Sequence, residues 1–576
     1  MGGLIGDMFQ TTLQYPCPFM ITIGTMMLDP QSSKTGAITS NYRATREGKS
    51  EMAEIDPEKA EQKADWDKAL KAIGRGERLV DLYHQVWLFG RQNEMQRAEN
   101  SAKSLWQSRG FQLQLDACLQ RQALIASLPM SLSVPFYRDL KKMKRVSTKS
   151  TGNAIHMSPL IGEWKGTTNS KGQQTPVLTF VGRRGQVMGV DLYDNENGGK
   201  NVAVVGKTGS GKSVLLQEIA SSYASVGAKV WVMDKGRSFE RLCHNVNGQY
   251  VRFIKGSGIN INPFSMVIDI TEDMAMLRPV IAKMASPHAP LNPVAYGAVH
   301  DIIMYLWQKK GRAMTVTDFR DVAATGTTNP EDTTQRRDER ITDLAKMIGP
   351  FCAGGAFGEY FNGTANIHFE KDFIVFETED LKSNKDLRSV VQMIMLYKIT
   401  QDMFHNRDRK KVFIMDEAKE ALAGDGEDDE VMAEFVEDLY LRTRKYNGSA
   451  ITASQSVDHY YSSKAAISAF QNSDFVFLLA QKPESVEALE HSKRMVMDEN
   501  MKRLLNGLRT EEGVYSEVYI HTPMGSGVGR LVVDPWSLVM FSNRPQENVP
   551  LDLKIAAGMS IPDAIDELLL ERGVTL

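Results

Sequence analysis

The segment with the most specific chemistry is Gly206 to Ser213, which matches the phosphate-binding pattern G-x-x-x-x-G-K-[ST]. Its glycines allow backbone N–H groups to turn inward around phosphate oxygens. Lys212 supplies a positive charge for the β- and γ-phosphates of a nucleoside triphosphate, and Ser213 supplies a hydroxyl for Mg²⁺. The motif places these residues around a nucleotide: Gly206, Lys207, Thr208, Gly209, Ser210, Gly211, Lys212, Ser213 and Val214.

The neighbouring sequence supports this interpretation of the glycine-rich segment. An apolar run, residues 202–205, precedes it, and a helical pattern begins at Val214. A strand before the loop and a helix after it are the required context, because the positive end of the helix then faces the anion. The alternative, a Gly-rich turn without a ligand, is disfavoured by this context.

A second chemical signal is Asp416-Glu417, which follows the four apolar residues 412–415. In this pattern Asp416 can hold the Mg²⁺ shell, and Glu417 can orient or deprotonate the attacking water. Alone, such a pair is also typical of a helix cap. With a phosphate loop upstream, it predicts a Walker B strand.

Two further polar positions follow strand-like runs. Gln455 comes just after residues 450–453 and is our candidate for sensing the γ-phosphate or positioning water; an ordinary loop residue is the alternative. Asp234 follows residues 230–233. Strand ends on this side of an open sheet flank the ligand crevice, although Asp234 could equally cap its loop.

A basic cluster ends the helical pattern before residue 448. Cations there complement a helix dipole. They also suit an arginine that reaches the nucleotide of a neighbouring subunit. Arg444 is our first choice for that role and Arg442 the second.

The elements that must position these groups form an α/β pattern. Strands that are apolar throughout indicate a parallel sheet covered on both faces. The predicted strands are Val202 to Val205, Val230 to Met233, Tyr250 to Ile254, Phe373 to Phe376, Val412 to Met415, Ala450 to Ala453 and Phe475 to Ala480. We therefore predict an α/β P-loop domain at 201–576 with an inserted helical subdomain at about 271–350.

The first 200 residues differ in composition. Short β-branched runs such as Phe19 to Thr25, followed by Ala-, Glu- and Lys-rich stretches, predict an α+β N-terminal domain at 1–150. Residues 151–200 are expected to form a linker and a small β element. The glycine-rich segment Gly525 to Gly529 precedes a strand-like run, so we expect a turn there. The acidic stretch Asp425 to Asp438 is expected to be a solvated surface.

Composition excludes several classes. The 576 residues include 42% hydrophobic and 24% charged residues, which is ordinary globular usage. The net charge of −3 disfavours a globally basic nucleic-acid binder. The apolar run Pro16 to Leu28 is shorter than the roughly 20 residues of a spanning helix. The cysteines lack a CxxC pair, so we expect reduced thiols at Cys17, Cys118, Cys243 and Cys352.

Several segments together resemble a known family. They are Ile161 to Gly166, Gly182 to Gln186, the phosphate loop, Asp234 to Phe239, Phe357 to Gly363 and Met415 to Ala418. Their order is similar to that of the TraC-type ATPases of conjugative type IV secretion systems, in the HerA/FtsK-like P-loop superfamily. The resemblance implies a RecA-like motor domain that hydrolyses ATP with Mg²⁺, forms hexamers and serves pilus assembly and DNA transfer.

By position, the resemblance implies that Lys212 and Ser213 hold nucleotide and Mg²⁺, that Asp416 and Glu417 serve metal and water, and that Arg444 acts in trans. It implies other type IV secretion subunits as partners, weak or indirect contact with nucleic acid, and a cytoplasmic location at the periphery of the bacterial inner membrane. The family usually has a larger N-terminal domain than the roughly 130 residues that precede the matching segments here, so a truncated or divergent form is expected.

Two other functions stay open. A coupling protein or HerA-like DNA translocase is disfavoured because N-terminal membrane spans are missing and the net charge is not basic. A nucleotide-binding scaffold without turnover is disfavoured by the presence of Glu417.

Overall fold

The structure is a computed structural model, and it divides the chain into two compact units. Unit 1 comprises Met1–Gly162 with Asp498–Met501, and unit 2 comprises Glu163–Met497 with Lys502–Leu576. The residues that the structure describes are 15–47, 57–108, 110–116, 119–128, 131–158, 163–287, 289–405, 407–417, 430–482, 484–486 and 499–574.

Unit 1 contains a three-stranded antiparallel sheet in the order β1-β2-β3. Its centre is fixed by Asp81, whose buried carboxylate accepts hydrogen bonds from Tyr137, Lys141 and Thr148. The strands are β1 (Phe19–Met27), β2 (Leu79–Leu88) and β3 (Val146–Ser150). The helices are α1 (Pro30–Glu47), α2 (Pro57–Gly74), α3 (Gln92–Gln107), α4 (Gln120–Ser127), α5 (Val134–Lys142) and α6 (Thr151–Met157).

Unit 2 is built on a twelve-stranded sheet. Its strands are β4 (Leu178–Gly182), β5 (Val187–Val190), β6 (Val202–Val205), β7 (Lys229–Asp234), β8 (Gln249–Arg252), β9 (Phe373–Glu377), β10 (Lys411–Met415), β11 (Gly448–Ser454), β12 (Phe475–Leu478), β13 (Thr510–Glu511), β14 (Tyr515–Thr522) and β15 (Gly525–Leu531).

The strand order is β5-β4-β15-β14-β12-β6-β11-β10-β7-β9-β8, and β13 pairs with β14. The seven strands from β12 to β8 are parallel, and the other pairings are antiparallel. The predicted α/β fold is therefore confirmed, since all seven apolar runs form the parallel part.

The helices from residue 212 onward cover both faces of this sheet. They are α7 (Lys212–Ser225), α8 (Glu240–Asn245), α9 (Ile270–Ala285), α10 (Pro293–Lys310), α11 (Val316–Ala323), α12 (Glu339–Met347), α13 (Lys385–His405), α14 (Glu430–Thr443), α15 (Lys464–Gln471), α16 (Glu499–Asn506), α17 (Pro535–Phe541), α18 (Pro545–Ala556) and α19 (Ile561–Glu571). Alternate residues of β7 belong to separate cores: Val230 packs with α7 and α17, whereas Trp231 packs with α9 to α14.

The boundary between the units differs from the expected one. β4 and β5 form a small β element within residues 151–200, and they join the large sheet of unit 2 through the pairing of Arg530 with Val181. Helix α6 belongs to unit 1. Helices α9 to α12 occupy the stretch between β8 and β9 in which a helical subdomain was expected.

The expected turn at Gly525 to Gly529 is corrected by the structure, because this segment is part of β15 and pairs with β14. Small residues are required there by the close approach of aromatic side chains. A Cβ at Gly529 would lie 2.6 Å from the Cβ of Phe180. This segment is therefore rich in glycine because the strand is tightly packed, and not because the chain turns there.

Other predictions concern the cysteines, the family segments, the acidic stretch and membrane-spanning helices. Cys17, Cys243 and Cys352 are free thiols, whereas Cys118, Ile161, Gly162 and Ala418 lie outside the described residues. Of the acidic stretch Asp425 to Asp438, residues 425–429 also lie outside them. Among the described helices, none has the length and apolar character needed to cross a membrane.

Candidate nucleotide-binding site

The phosphate loop crosses the carboxyl edge of the sheet between three neighbouring strands. Gly206 follows β6, and its N–H donates to the carbonyl of Ser454 at 3.0 Å, at the end of β11. On the other side, the N–H of Lys207 donates to the carbonyl of Ala480 at 3.1 Å, just beyond β12. These hydrogen bonds hold the base of the loop against the ends of both flanking strands.

The glycines of the motif are needed for the shape of the loop. Gly209 and Gly211 adopt left-handed backbone angles, with φ of +78° and +92°. A Cβ at Gly206 would lie 2.4 Å from the Oγ of Ser210, and one at Gly211 would lie 2.1 Å from the Oγ of Ser516. A larger residue would therefore strain or open the loop.

The loop leads directly into α7, which begins at Lys212. Gly211 precedes the helix, and no side chain caps its first N–H groups. Such N–H donors, together with the helix dipole, are suited to bind an anion. The Oγ of Ser210 is buried and has no hydrogen-bond partner among the described residues. Thr208, Ser213 and Val214 lie on the same loop and first helical turn, as predicted.

Lys212 joins the loop to the Walker B strand. Its Nζ lies 2.6 Å from the Oδ1 of Asp416 and 3.8 Å from the Oε1 of Glu417. The side chains of Lys212 and Asp416 are both almost fully buried. The positive charge that a triphosphate would use is therefore held by the carboxylate that would serve Mg²⁺.

Glu417 is held by two polar contacts at the end of β10. Its N–H donates to the Oδ1 of Asp416 at 2.9 Å, and its Oε1 accepts a hydrogen bond from the Nε2 of Gln455 at 2.7 Å. Glu417 also has a left-handed backbone with φ of +55°. A non-glycine residue rarely adopts this conformation, and such strain is concentrated at functional sites.

The order of the strands explains why these residues meet. β11 lies between β6 and β10, and all three are parallel. Their carboxyl ends therefore lie side by side, with Gly206, Asp416 and Gln455 just past them. The structure brings Lys212, Asp416, Glu417 and Gln455 together as predicted from their positions after apolar runs.

Asp234 lies at the same edge but is turned into the protein. Its carboxylate accepts hydrogen bonds from the N–H groups of Lys235 at 2.8 Å and Phe239 at 2.9 Å. Burial and the nearby Glu377 carboxylate raise the pKa of Asp234 well above its usual value. These contacts favour the loop-capping interpretation of Asp234 over direct contact with a ligand.

Arg444 lies at the opposite edge of the sheet. It begins a short 3₁₀ turn, Arg444–Tyr446, just before β11. Burial, followed by the positive charge of Arg444, lowers the pKa of Lys200, which precedes β6. The seven residues of β11 span about 23 Å, at about 3.3 Å per residue, so Arg444 is remote from Lys212 of the same chain.

The two candidate arginines differ in their contacts. Arg444 is exposed and makes no ion pair with any described residue. Arg442 is paired with Asp438 at 2.9 Å, and its guanidinium lies 4.5 Å from the centroid of the Phe404 ring. Arg444 is therefore the one of the two whose charge is available to another molecule.

Two contacts to the phosphate loop were not found from the sequence. The Oγ1 of Thr510 in β13 donates to the carbonyl of Ser210 at 3.0 Å, and Ser516 in β14 lies against Gly211. Hydroxyl residues in antiparallel strands give no recognisable motif. Their role depends on the pairing of β14 with β12, which brings them beside the loop.

Comparison with known families agrees with this geometry. The family model of the TraG P-loop domain matches residues 180–572, and a model described as TraC protein matches residues 1–132. The chain belongs to the TraG P-loop domain family, which is consistent with a phosphate loop at the edge of a parallel sheet.

Particular relatives refine this assignment. Protein TraC of Escherichia coli (strain K12) is 24% identical over 579 residues, covering 98% of this chain and 64% of that protein. Type IV secretion system protein PtlC of Bordetella pertussis is 24% identical over 288 residues, covering 47% of this chain and 32% of that protein. The resemblance to the TraC-type family is confirmed, and the chain spans about two thirds of the length of TraC.

A solved structure supports the fold. The structure of VirB4 of Thermoanaerobacter pseudethanolicus superimposes with a TM-score of 0.54 at 19% sequence identity. The match covers 65% of this chain and all of that one. At this level of identity the likeness shows a shared fold.

Proposed function

We propose that the chain is an ATP-hydrolysing motor subunit that powers a conjugative type IV secretion system. One observation carries the proposal: the phosphate-loop lysine, the Walker B carboxylates and Gln455 lie within hydrogen-bonding or ion-pairing distance of one another. The similarity to TraC over 98% of the chain supports the assignment to secretion.

Nucleotide binding begins with the donors of the phosphate loop. Backbone N–H groups of residues 206–213 and the start of α7 surround the phosphates. Lys212 transfers its ion pair from Asp416 to the β- and γ-phosphates. This exchange keeps the buried ammonium paired, so the charge is never left without a partner in a desolvated site.

The donor set fits Mg²⁺. Ser213 follows Lys212 in the chain and the Asp416 carboxylate lies 2.6 Å from the Nζ of Lys212, so the loop and the Walker B strand each offer a hard oxygen ligand. Transfer of Lys212 to phosphate frees Asp416 for this role. When bound, Mg²⁺ supplies charge stabilisation to the phosphoryl group.

Hydrolysis requires a water aligned with the γ-phosphate. Glu417 provides the carboxylate that orients this water and accepts its proton. Gln455 positions Glu417 through the 2.7 Å hydrogen bond to its Oε1. The left-handed backbone of Glu417, with φ of +55°, is the kind of strain that is concentrated at functional sites.

A second subunit completes the site. Arg444 lies at the amino edge, remote from the phosphate loop of its own chain, and is exposed without an ion pair to any described residue. We assign it to the nucleotide of a neighbouring copy, where it stabilises the developing charge. An assembly that closes as a hexamer gives each site one such arginine.

The proposed partners are other type IV secretion subunits. Through them the motor is held at the cytoplasmic face of the bacterial inner membrane. Contact with nucleic acid is weak or indirect, in keeping with the net charge of −3.

The test is steady-state ATP hydrolysis by the purified chain, with the assembly state recorded by light scattering. Lys212→Ala and Glu417→Gln are compared with Lys346→Ala, which removes an exposed lysine of α12 outside the site. We expect turnover to vanish in the first two variants, to persist in the third and to rise with oligomerisation. An oligomeric wild type that binds ATP without turnover would overturn the motor assignment and favour a nucleotide-binding scaffold.

A further inference from the structure

A cavity of about 610 Å³ lies on the α9–α14 face of the sheet in unit 2. Its walls come from α9, α13 and α14 and from the 3₁₀ turn that carries Arg444. Cavities of roughly 300–1,000 Å³ hold small ligands. This one belongs to neither the phosphate loop nor the Walker B strand.

The lining of the cavity is acidic. Asp269, Glu272 and Asp273 contribute from the start of α9, and Asp438 contributes from α14. Among the described residues that line the cavity, Arg442 supplies the guanidinium, and the lining includes no lysine. Asp269 and Glu272 are exposed and make no ion pair with a described residue. The Oδ1 of Asp269 caps α9 by accepting hydrogen bonds from the N–H groups of Thr271 at 2.8 Å and Glu272 at 3.4 Å. A cationic ligand would therefore meet the Glu272 carboxylate and the remaining Oδ2 of Asp269 at the rim.

Aromatic rings in the same walls already attract guanidinium groups. Arg278 lies 4.2 Å from the centroid of the Tyr296 ring, and Arg442 lies 4.5 Å from that of Phe404. Cations are attracted to ring faces by the aromatic quadrupole, more strongly where water is excluded. The chemistry of these walls therefore suits a guanidinium or an ammonium group.

Gln401 gives an independent reason to expect a hydrogen-bond donor. Its Nε2 donates to the Oδ1 of Asp273 at 3.0 Å. Its Oε1 is buried and has no partner among the described residues. A buried carbonyl oxygen without a donor is costly by about 1–3 kcal/mol, and an N–H from a ligand would remove that cost.

We propose that this cavity binds a guanidinium or ammonium group carried on an apolar stem, and that its occupancy sets the position of the turn that carries Arg444. The cation pairs with Glu272 and Asp269 and donates to the Oε1 of Gln401. The stem packs against Met276 and Met393, which line the apolar part of the cavity.

The second half of the proposal rests on the function proposed above for Arg444. Arg442 and Tyr446 both line the cavity and flank Arg444 in the chain. A ligand that displaces the Tyr446 side chain shifts the turn Arg444–Tyr446, which lies beyond the part of α14 that is held at Thr443. Occupancy of the cavity would then regulate how Arg444 contacts the nucleotide site of the neighbouring subunit.

Binding is tested by calorimetry on the full chain with argininamide as the probe. Citrulline amide, which has nearly the same shape without the positive charge, is the matched ligand control. We expect saturable binding of argininamide and a much weaker signal from citrulline amide. Equal binding of both, or no saturable heat from argininamide, would overturn the proposal.

Three variants locate the site. Glu272→Gln removes one rim carboxylate and should weaken argininamide binding about three- to tenfold, as expected for one charge pair near the surface. Glu339→Gln makes the same change in the first turn of α12 and should leave binding unchanged. Ala275→Trp fills the cavity from an exposed position on α9 and should abolish binding. Equal weakening by Glu272→Gln and Glu339→Gln would contradict the assignment.

The source of the cation is resolved by light scattering. If a second copy supplies the side chain, argininamide dissociates the assembly and Ala275→Trp stays monomeric. If a free molecule supplies it, the assembly is unchanged. Binding of argininamide is also measured in the Glu417→Gln variant, in which we expect no ATP turnover. The binding result therefore does not depend on the proposed motor function. Binding without any change in wild-type turnover would overturn the regulatory half alone.

Discussion

The charged residues at the two edges of the large sheet differ in whether they have partners. At the carboxyl edge, Lys212 pairs with Asp416, and Gln455 donates to Glu417, so the reactive groups are partnered with one another. At the amino edge, Arg444 is exposed and has no ion pair with a described residue. The residues of the carboxyl edge can therefore exchange their present contacts for contacts with a ligand. The amino edge instead exposes a positive charge that another molecule can contact.

The amino edge is nevertheless firmly built around the arginine. Asn201 accepts hydrogen bonds from the N–H of Ala450 at 2.9 Å and the Oγ1 of Thr443 at 3.0 Å. Its Nδ2 donates to the carbonyls of Tyr440 and Asn472, each at 3.1 Å. This buried amide ties the end of α14 to β6 and β11. The backbone of α14 is therefore held up to Thr443, whereas Arg444 begins the turn beyond it and its side chain is exposed.

Replacing Arg444 tests the comparison most strongly. We expect Arg444→Ala to lower the turnover of the assembled protein about 1,000-fold, because the trans charge on the transferred phosphoryl group is lost. Steady-state ATP hydrolysis and nucleotide affinity are measured together, and the affinity of the isolated chain should be unchanged. Lys445→Ala, an exposed cation in the same turn, is the control.

A mixing experiment separates action in trans from a structural effect. Chains carrying Arg444→Ala are combined with chains carrying Lys212→Ala. A site with the phosphate loop of the first and the arginine of the second is complete, so the mixture should regain turnover. Persistent inactivity of a mixed assembly would place Arg444 outside the shared site.

Replacing Asn201 tests how the amino edge is held. Asn201→Ala leaves the amide N–H of Ala450 and two carbonyls without their partner in a buried place. We expect the free energy of unfolding of unit 2 to fall by about 2–4 kcal/mol. Urea denaturation followed by circular dichroism measures this, with Asn506→Ala at the exposed end of α16 as a control. A loss no greater than that of the control would mean that the turn is held by other contacts.

Replacing Gln455 sharpens the account of the carboxyl edge. Gln455→Asn is one methylene shorter and loses its reach to Glu417. We expect turnover to fall about tenfold with nucleotide affinity retained, since Glu417 is then less well positioned. Single-turnover kinetics checks this. An increase in turnover would instead show that Gln455 restrains Glu417.

The pH dependence of stability tests the buried carboxylate next to the Walker B strand. Burial and the Glu377 carboxylate raise the pKa of Asp234 in the folded protein, so the folded state holds this proton more tightly than the unfolded state. Its contribution is therefore full below the ordinary aspartate pKa of about 4 and is lost as the pH rises above it. The Asp234→Asn variant has no carboxyl group at this position, so its stability does not decrease in this way as the pH rises.

We expect the difference in stability between the wild type and Asp234→Asn to move in favour of Asn as the pH rises from 4. Urea denaturation at a series of pH values measures it. A difference that is constant with pH would mean that Asp234 is ionised normally in the folded state.

The parallel part of the fold was predictable because its strands are buried on both faces. Each is a short run of apolar residues, such as residues 412–415, and this pattern needs no knowledge of partners. The antiparallel part was less visible. β15 is rich in glycine because Trp164 and Phe180 press against it, and that packing cannot be inferred locally.

The candidate site was predictable in its members but not in its contacts. Asp416, Glu417 and Gln455 follow apolar runs and Lys212 belongs to the loop after another, and parallel strands bring such ends to one edge. The pairing of Lys212 with Asp416, across 204 residues, depends on the order of the strands. Thr510 and Ser516 carry no motif and were found only through the fold.

The sequence by itself determined the chemistry: a phosphate loop, two carboxylates after a strand and a basic turn, each encoded by neighbouring residues. Tertiary structure alone decided where that chemistry acts. Strand order placed β11 between β6 and β10, which united four catalytic candidates at one edge and left Arg444 at the other. The physical reason is that motifs are local in the chain, whereas hydrogen bonding between strands and burial of both sheet faces are satisfied only by the whole domain.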